Sequence, residues 1–381
     1  MRNLSKLKLC FLAGTLEHGG AERQLFYILQ ALYALGASVR VLSLDQGEFW
    51  EKRIHALGVP VTCVGAQRSK WKRLFRVLKE LRKDTPDILQ SQHFYVNAYV
   101  SLVAKVVRAT GIGALRNNGH SEMLDSGRLG GWLNMHLPGL IAANSRSAIE
   151  YALGQGIPAS RLYFLPNVVD AERFKPAATA SDTPVTLLAV GRIVKQKRFD
   201  RFVSLIARLR DLRLDVRGVI VGPSGRNEDL RAELETQARS LGLFPELLRF
   251  QDSVSDMRPV YHASNLCVLT SDFEGTPNVL LEAMASGLPV LGTRVGGVPE
   301  IVRHGHTGFL LEPADLDGLT AIAAELVKSI QLRREIGTRA RLFVEQNHAL
   351  QRLPSFLSRL YEVALPPGYH SSAEALPATS T

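Results

Sequence analysis

The chain has 381 residues and a hydrophobic fraction of 46%, which is enough for two domains that each bury an apolar core. Its formal net charge of +10 favours anionic partners without naming them. The three cysteines, Cys10, Cys63 and Cys267, are odd in number and lack metal-ligand spacing, which argues against a disulfide framework or a zinc site. They are predicted to be reduced core residues in a reducing compartment. No apolar stretch reaches the length of a membrane span.

In the first half, apolar runs of strand length alternate with helical patterns, which is typical of a parallel sheet covered by helices. The pattern predicts a strand over 7–13, a helix over 21–35 that ends at Gly36, and a strand over 39–44. It predicts further strands at 88–90, near Ala114 and at 140–143.

A basic segment lies within this half. Residues 68–83 contain eight basic side chains and one acidic one, with apolar residues at helical spacing: Trp71, Leu74, Phe75, Leu78 and Leu81. One interpretation is a surface helix that buries this stripe in its own domain. The other is a helix that also rests on anionic lipid. Nucleic acid is a weaker alternative, because no recognisable nucleic-acid-binding motif accompanies the charge.

The second half repeats the alternation, with strands predicted at 185–190, 216–221, 266–270 and 289–292 and helices over most of 315–365. The chain is therefore predicted to form two doubly wound α/β domains. The first covers 1–168, a hinge covers 169–184, and the second covers 185–349. A helix at 350–365 follows, and the Ser-, Ala-, Pro- and Thr-rich tail at 366–381 is predicted to be disordered.

The segment 270–283 carries the strongest chemical signal. Thr276 suits an N-cap and Pro277 a first helical residue, so a helix should begin there. The first backbone N–H groups of that helix, on Asn278, Val279 and Leu280, would then favour an anion such as a diphosphate.

Two carboxylates flank this predicted phosphate site. Glu274 precedes the helix in a loop with Gly275, and Glu282 lies one turn deeper than Asn278 on the same helix face. Ionised carboxylates repel phosphate but accept hydrogen bonds from hydroxyl groups. A phosphate site between two carboxylates therefore predicts a ligand with phosphates between two hydroxyl-bearing groups, which is a sugar nucleotide. A capped amphipathic helix without such a role remains the alternative.

The stretch resembles the E-x7-E motif of the family 4 glycosyltransferases, and Glu274 and Glu282 have its spacing. The resemblance implies that Glu274 contacts the donor sugar, Glu282 the ribose, and the intervening amides the phosphates. It also implies the GT-B fold, in which two Rossmann-like domains face each other across a cleft and the first gathers the acceptor. The segment LPNVVD at 165–170 resembles the family's hinge, with Val168 in place of the usual Gly, and the helix at 350–365 is expected to cross back to the first domain.

A basic cluster, GRIVKQK at 191–197, follows the strand at 185–190. Ligands bind at the carboxyl ends of strands in open parallel sheets, so Arg192 and Lys197 are placed to bind a diphosphate. A helix terminus alone contributes about 0.3 to 2 kcal/mol, whereas micromolar binding needs about 8 kcal/mol. The resemblance agrees, because the family has a Gly-Arg followed by a Lys at these spacings.

Two glycine pairs complete the predicted donor site. Gly19 and Gly20 lie at a helix start, where a phosphate could approach closely, and the resemblance places this loop against the donor diphosphate. Glu22 is interpreted as a first-turn carboxylate that complements the helix dipole rather than as a catalyst. By itself the VGGVPE loop at 295–300 is a turn and a helix start, and the resemblance places it beside the sugar pocket.

The catalytic candidates are His120, His93 and Glu274. The family has a histidine after a strand of the first domain, and His120, in RNNGH at 116–120, fits that place, although Arg116 or Asn117 could occupy it instead. His93 is the rival, and a structural histidine is the alternative for either.

No metal or other cofactor is expected besides the nucleoside-diphosphate sugar, which is a substrate. Asp315 and Asp317 match the sequence of a metal-binding Asp-x-Asp motif, but they lie at a predicted helix start, where N-terminal capping explains them. The resemblance implies retention of anomeric configuration and transfer to a glycan or lipid-linked acceptor, as in polysaccharide, capsule or lipopolysaccharide assembly.

The expected location is cytoplasmic, with peripheral binding at the inner membrane face. A GT-B phosphorylase or sugar-nucleotide isomerase, or a carbohydrate or nucleic-acid binder without catalysis, stays open as an alternative.

Overall fold

The structure, a computed structural model, describes residues 4–65, 69–176, 183–225, 230–366 and 369. They form two compact units, one built from the chain up to Val168 together with the chain from Gln351, and one spanning Val169–Leu350. Most of the predicted tail and part of the predicted hinge, residues 177–182, lie outside the described residues.

The first unit contains a seven-stranded sheet in the order β3-β2-β1-β4-β5-β6-β7, in which every neighbouring pair is parallel. Because the order reverses between β1 and β4, the carboxyl ends of these two strands form a switch point, where ligands bind in such sheets. The strands are β1 Lys8–Ala13, β2 Ser38–Ser43, β3 Val61–Cys63, β4 Ile88–Ser91, β5 Thr110–Leu115, β6 Leu140–Ala143 and β7 Leu162–Phe164. The helices are α1 Gly20–Ala34, α2 Phe49–Ala56, α3 Lys70–Lys83, α4 Asn97–Val107, α5 His120–Asp125, α6 Arg128–His136 and α7 Arg146–Gly154.

The second unit has a six-stranded parallel sheet in the order β10-β9-β8-β11-β12-β13. Its order reverses between β8 and β11. The strands are β8 Val185–Val190, β9 Val216–Val221, β10 Leu248–Gln251, β11 Leu266–Leu269, β12 Val290–Thr293 and β13 Phe309–Leu311. The helices are α8 Phe199–Asp211, α9 Arg231–Ser240, α10 Arg258–His262, α11 Asn278–Ala285, α12 Val298–Ile301, α13 Leu316–Lys328 and α14 Ile330–Asn347.

The last helix, α15 Leu353–Ala364, belongs to the first unit although it follows the second in the chain. Its Tyr361 is fully buried and donates a hydrogen bond of 3.0 Å to Oε1 of Gln90 on β4. The Tyr163 hydroxyl on β7 donates to the carbonyl of Phe356 at 3.4 Å. The helix is therefore bonded to two strands of the first sheet.

The inner strands match the sequence prediction to within a few residues, and Gly36 takes the left-handed φ of 78° that ends a helix. The four edge strands, β3, β7, β10 and β13, were not predicted as separate strands. The prediction for Cys63 as a core residue is wrong, because Cys63 lies on the edge strand β3 and is partly exposed. Cys10 and Cys267 are buried, and burial raises the pKa of each thiol to about 12.

Phe202 on α8 tests the core of the second unit. Its side chain is fully buried, so Phe202→Ala should lower the free energy of unfolding by about 3–5 kcal/mol through lost contacts and a cavity. Leu342→Ala on α14, where the side chain is 50% exposed, should change it by no more than about 0.5 kcal/mol. Urea denaturation of both variants measures the difference, and equal losses would contradict this placement of the core.

Candidate functional site

In the second unit, the loops after β8 and β11 are bonded to each other. These strands are neighbours at the point where the sheet order reverses, so their carboxyl ends lie side by side. The Thr270 hydroxyl donates to the carbonyl of Lys197 at 2.8 Å. Gln196 accepts the N–H of Asp272 at 2.9 Å and donates its side-chain amide to the carbonyl of Phe273 at 2.7 Å. The two predicted donor-binding segments thus form one rigid site.

Glu274 is fixed at the centre of this site. Its Oε1 accepts from Lys197 Nζ at 2.6 Å and from the Ser271 hydroxyl at 2.6 Å. The Lys197 and Glu274 side chains are only 16% and 8% exposed. Glu274 Oε2 accepts no hydrogen bond from any residue that the structure describes, so it can accept one from a ligand hydroxyl.

The start of α11 differs from the prediction by one residue. Pro277, at φ −72° and ψ 114°, occupies the N-cap position that was predicted for Thr276, and the helix begins at Asn278. The amide of Leu280 donates to the carbonyl of Pro277 at 3.2 Å, so its predicted role as a phosphate donor is wrong. The amides of Asn278 and Val279 precede the first hydrogen bond of the helix.

Glu282 lies deeper in α11 and is only 2% exposed. Its Oε2 accepts the hydroxyl of the buried Tyr261 on α10 at 3.0 Å. Tyr261, which the sequence analysis missed, therefore orients this carboxylate. The role of Glu282 as a ribose contact stays a prediction.

The Gly296–Gly297 turn packs directly against Glu274 and Gly275. Gly296 has φ 47°, and a Cβ there would lie 1.8 Å from the carbonyl oxygen of Glu274, so only glycine fits. The amide of Gly297 donates to the carbonyl of Gly275 at 3.1 Å. The turn that was predicted to border the sugar pocket thus supports the backbone of Glu274.

The arginines around this site have different surroundings. Arg192, just after β8, is exposed and forms no ion pair with a described residue. Arg198 and Arg201 instead pair with Asp272 at 3.2 and 2.7 Å and hold the loop that leads to Glu274. Sequence reasoning missed these two, because a basic residue in a loop shows no sign of which carboxylate it will meet.

In the first unit, His93 follows β4 and is held between two segments. Its Nδ1 accepts the amide of Gly14 at 3.1 Å, and its Nε2 lies 3.0 Å from Oε1 of Glu22. Since Nδ1 is the acceptor, Nε2 carries the hydrogen and donates it to Glu22. His93 is thus oriented by the loop after β1 and by the start of α1.

Glu22 is the acidic residue in the first turn of α1, as the sequence analysis interpreted it, and it is also a buried partner of His93. Burial raises its pKa, but hydrogen bonds from His93 and from Thr15, the latter at 2.8 Å, outweigh this and hold the pKa below its ordinary value. Gly19 is the N-cap and Gly20 the first residue of α1. A Cβ on Gly19 would lie 2.1 Å from Oε2 of Glu22, so the space beside this glycine is taken by the carboxylate.

His120 has different surroundings. It is the exposed first residue of α5, and its ring meets Tyr151 edge-on at 6.0 Å between centroids. Its side chain forms no hydrogen bond within the described part of the chain. The structure therefore places His93, and not His120, in a network of fixed polar groups.

Family models match both halves of the chain. The model described as Glycosyltransferase Family 4 matches residues 18–173, and the model described as Glycosyl transferases group 1 matches residues 184–329. The chain belongs to the family 4 glycosyltransferases.

Two curated proteins illustrate the similarity within this family. N-acetyl-alpha-D-glucosaminyl L-malate synthase of Bacillus anthracis is 32% identical over 204 residues, which are 53% of this chain and 50% of that protein. The lipopolysaccharide core biosynthesis glycosyltransferase LpsE of Rhizobium meliloti is 31% identical over 45% of this chain and 47% of its own length. This family member thus spans about half the length of these relatives.

Solved structures show that this family 4 chain has the GT-B fold. Anabaena HepE, solved in complex with UDP and glucose, superposes with a TM-score of 0.84 at 20% identity, covering 93% of this chain and 99% of that one. TarM superposes with a TM-score of 0.79 at 12% identity, covering 94% and 99%.

Two features are absent from the described ranges. They contain no group of three or more His, Cys, Asp or Glu side chains that could hold a metal ion. They also contain no helix with the length and apolarity needed to cross a bilayer. Asp315 caps α13 by accepting the amide of Gly318 at 2.8 Å, as its sequence predicts.

The Lys197–Glu274 pair predicts a double-mutant cycle. Lys197→Met or Glu274→Gln alone should lower the free energy of unfolding by up to about 3–5 kcal/mol, because each disrupts a largely buried ion pair. The double variant should lose less than the sum, because no lone charge remains. Chemical denaturation gives the four energies, with Lys195→Met, at an exposed position in the same turn, as control. Additive losses would contradict the pairing.

Proposed function

We propose that the chain is a retaining glycosyltransferase that moves a sugar from a nucleoside-diphosphate sugar to a glycan or lipid-linked acceptor, without a metal ion. The observation that carries this proposal is the fixed Glu274, held by Lys197 and Ser271 beside the start of α11. The solved HepE complexes, which contain UDP or UDP-glucose, support the donor class. Relatives named for lipopolysaccharide core and Vi polysaccharide biosynthesis support a role in polysaccharide or glycolipid assembly.

The charges around this site fit departure of a diphosphate. As the bond to the sugar breaks, negative charge grows on the leaving group and positive charge on the sugar ring. Arg192 and Lys197 supply cations, and the amides of Asn278 and Val279 supply the positive end of a helix. Glu274 Oε2 accepts a sugar hydroxyl, which orients the ring, while its Oε1 stays bonded to Lys197. In the proposed reaction, catalysis thus comes mainly from stabilisation of the leaving diphosphate.

The two histidines offer different chemistry. Both ring nitrogens of His93 are engaged, so it can accept a proton at Nδ1 only if the hydrogen bond from Gly14 breaks. His93, fixed by these two hydrogen bonds, instead presents an oriented dipole next to Glu22. His120 is exposed, so its imidazole is the histidine that can exchange a proton with an acceptor hydroxyl without breaking a hydrogen bond.

A donor screen tests the proposal. Calorimetric titration of the full chain with UDP-, GDP- and ADP-sugars should find one nucleotide that binds. Arg192→Gln should weaken its binding about tenfold or more, because a charge-assisted hydrogen bond contributes about 1.5–3 kcal/mol. The melting temperature of the Arg192→Gln variant without ligand should equal that of the parent chain, because Arg192 is exposed. Arg217→Gln, at an exposed position on β9, is the matched control.

Product analysis with the nucleotide that binds separates the alternatives. Transfer to a glycan or lipid acceptor with the anomeric configuration kept supports the proposal. Sugar phosphate formed from inorganic phosphate would identify a phosphorylase, and a rearranged sugar nucleotide an isomerase. Binding to DNA or a glycan without nucleotide binding would identify a binder without catalysis. Each of the last three results rejects the transferase.

We further propose that α3 binds an anionic membrane surface. Its apolar stripe is divided: Leu81 is buried and Leu74 and Leu78 are partly buried in the core, whereas Trp71 and Phe75 are 72% and 68% exposed. Exposed basic residues lie beside these two aromatics at helical spacing: Lys72, Arg76 and Lys79. Large exposed aromatics next to cations match a lipid interface, where aromatic rings enter the headgroup region and cations meet anionic lipid.

Vesicle co-sedimentation tests this surface. The full chain should bind vesicles that contain phosphatidylglycerol and not vesicles of phosphatidylcholine alone. A triple variant with Lys72→Gln, Arg76→Gln and Lys79→Gln should bind about a hundredfold more weakly, because each basic residue contributes about 1 kcal/mol. Trp71→Ser with Phe75→Ser should also weaken binding, whereas Lys105→Gln with Arg128→Gln, at exposed positions of the same unit, should not. Equal binding to both vesicle types would contradict the proposal.

A further inference from the structure

Arg116, directly after β5 in the first unit, has buried side-chain donors that no described residue accepts from. Its guanidinium Nε and Nη2 atoms are buried and have no hydrogen-bond partner among the residues that the structure describes. The residue is anchored by its backbone, because its carbonyl accepts the side-chain amide of Asn144 at 2.9 Å. Its side chain therefore holds donor groups in a protein environment that offers them no acceptor.

Glu122 on α5 is a carboxylate that acts electrostatically on Arg116, yet within the described part of the chain it forms no ion pair with the guanidinium. Its oxygens instead accept the backbone amides of Arg116 at 3.3 Å and Asn117 at 3.1 Å. Burial raises the pKa of Glu122 to about 7, so at neutral pH it carries only part of a negative charge. Burial likewise lowers the pKa of Arg116 to about 10, which leaves it cationic at neutral pH.

A second buried donor lies in the same part of the unit. Gln90 on β4 has an Nε2 without a partner in the described chain, while its Oε1 accepts the Tyr361 hydroxyl at 3.0 Å. The Tyr361 phenol also acts electrostatically on Arg116. Gln90, which is bonded to Tyr361, and Arg116, on which Tyr361 acts electrostatically, thus contribute three buried nitrogen donors that have no acceptor among the described residues. Such groups destabilise a fold unless a ligand satisfies them.

We propose that Arg116 binds a carboxylate or phosphate group of the acceptor, which makes the acceptor an anionic molecule. A planar guanidinium matches two oxygens of either group, and a neutral hydroxyl would leave its charge unbalanced. The identification of this anion as the acceptor rests on the proposed transferase function. The anion site itself rests on the buried donors.

Anion binding to the full chain tests this site without any transfer reaction. Titration calorimetry with malonate and with inorganic phosphate distinguishes the two ligand groups, and at least one should bind. Arg116→Gln should weaken that binding at least about tenfold, whereas Arg128→Gln, at an exposed position on α6, should leave it unchanged. Phosphate can also enter the donor site, so Arg192→Gln, at an exposed position of that site, is measured in parallel and should retain the binding that depends on Arg116.

Two further variants keep the test decisive if Arg116→Gln folds poorly. Arg116→Met removes the charge and retains the apolar stem, so it should melt at a higher temperature than the parent chain when no anion is present. Arg116→Lys keeps the charge without the fork and should bind the anion more weakly than arginine does.

The inference fails if neither anion binds the parent chain, or if Arg116→Met melts at a lower temperature, since the guanidinium would then serve the fold alone. If anions bind through Arg116 while no sugar nucleotide binds, the anion site stands and the transferase proposal fails. If a sugar nucleotide binds while no anion binds through Arg116, only the anion site is rejected.

Discussion

The ion pair between Lys197 and Glu274 is the interaction on which the second unit's site depends. It joins the loops after β8 and β11, which are 77 residues apart in the chain, at the point where the sheet order reverses. Ser271 shares the same carboxylate oxygen, and the Gly296 turn packs closely against the backbone of Glu274. These contacts leave Oε2 as the oxygen without a donor among the described residues and hold the carboxylate in one orientation, which a donor sugar would meet in the proposed function. Such preorganisation lowers the reorganisation needed at the moment of reaction.

In the first unit, too, a nearly buried carboxylate fixes a polar side chain from a distant segment, but the residues differ. There a histidine, and not a lysine, bridges the first strand's loop to the first helix, and Glu22 is its anchor. Here too the partners are far apart in the chain, since His93 and Glu22 are 71 residues apart. In both units, polar residues after neighbouring strands are fixed by one nearly buried carboxylate. Arg116 is the exception, because its guanidinium has no such carboxylate partner.

Periodicity could predict the inner strands because both of their faces are covered, which makes each a continuous apolar run. The edge strands β3, β7 and β13 have three residues each, and β10 is partly exposed, so the same signal is weak or missing there. The E-x7-E spacing located Glu274 and Glu282 because it is local. It could not predict that Tyr261 would meet Glu282, because this contact depends on packing between segments that are 21 residues apart in the chain.

The position of α15 has a consequence for biosynthesis. The second unit is one continuous stretch, Val169–Leu350, but the first unit contains a helix that follows it in the chain. On the ribosome, the first sheet therefore emerges early and stays without Tyr361, the hydrogen-bond donor to Gln90, until the whole second unit has been made. The unit that starts first is therefore completed only after the second unit has been made.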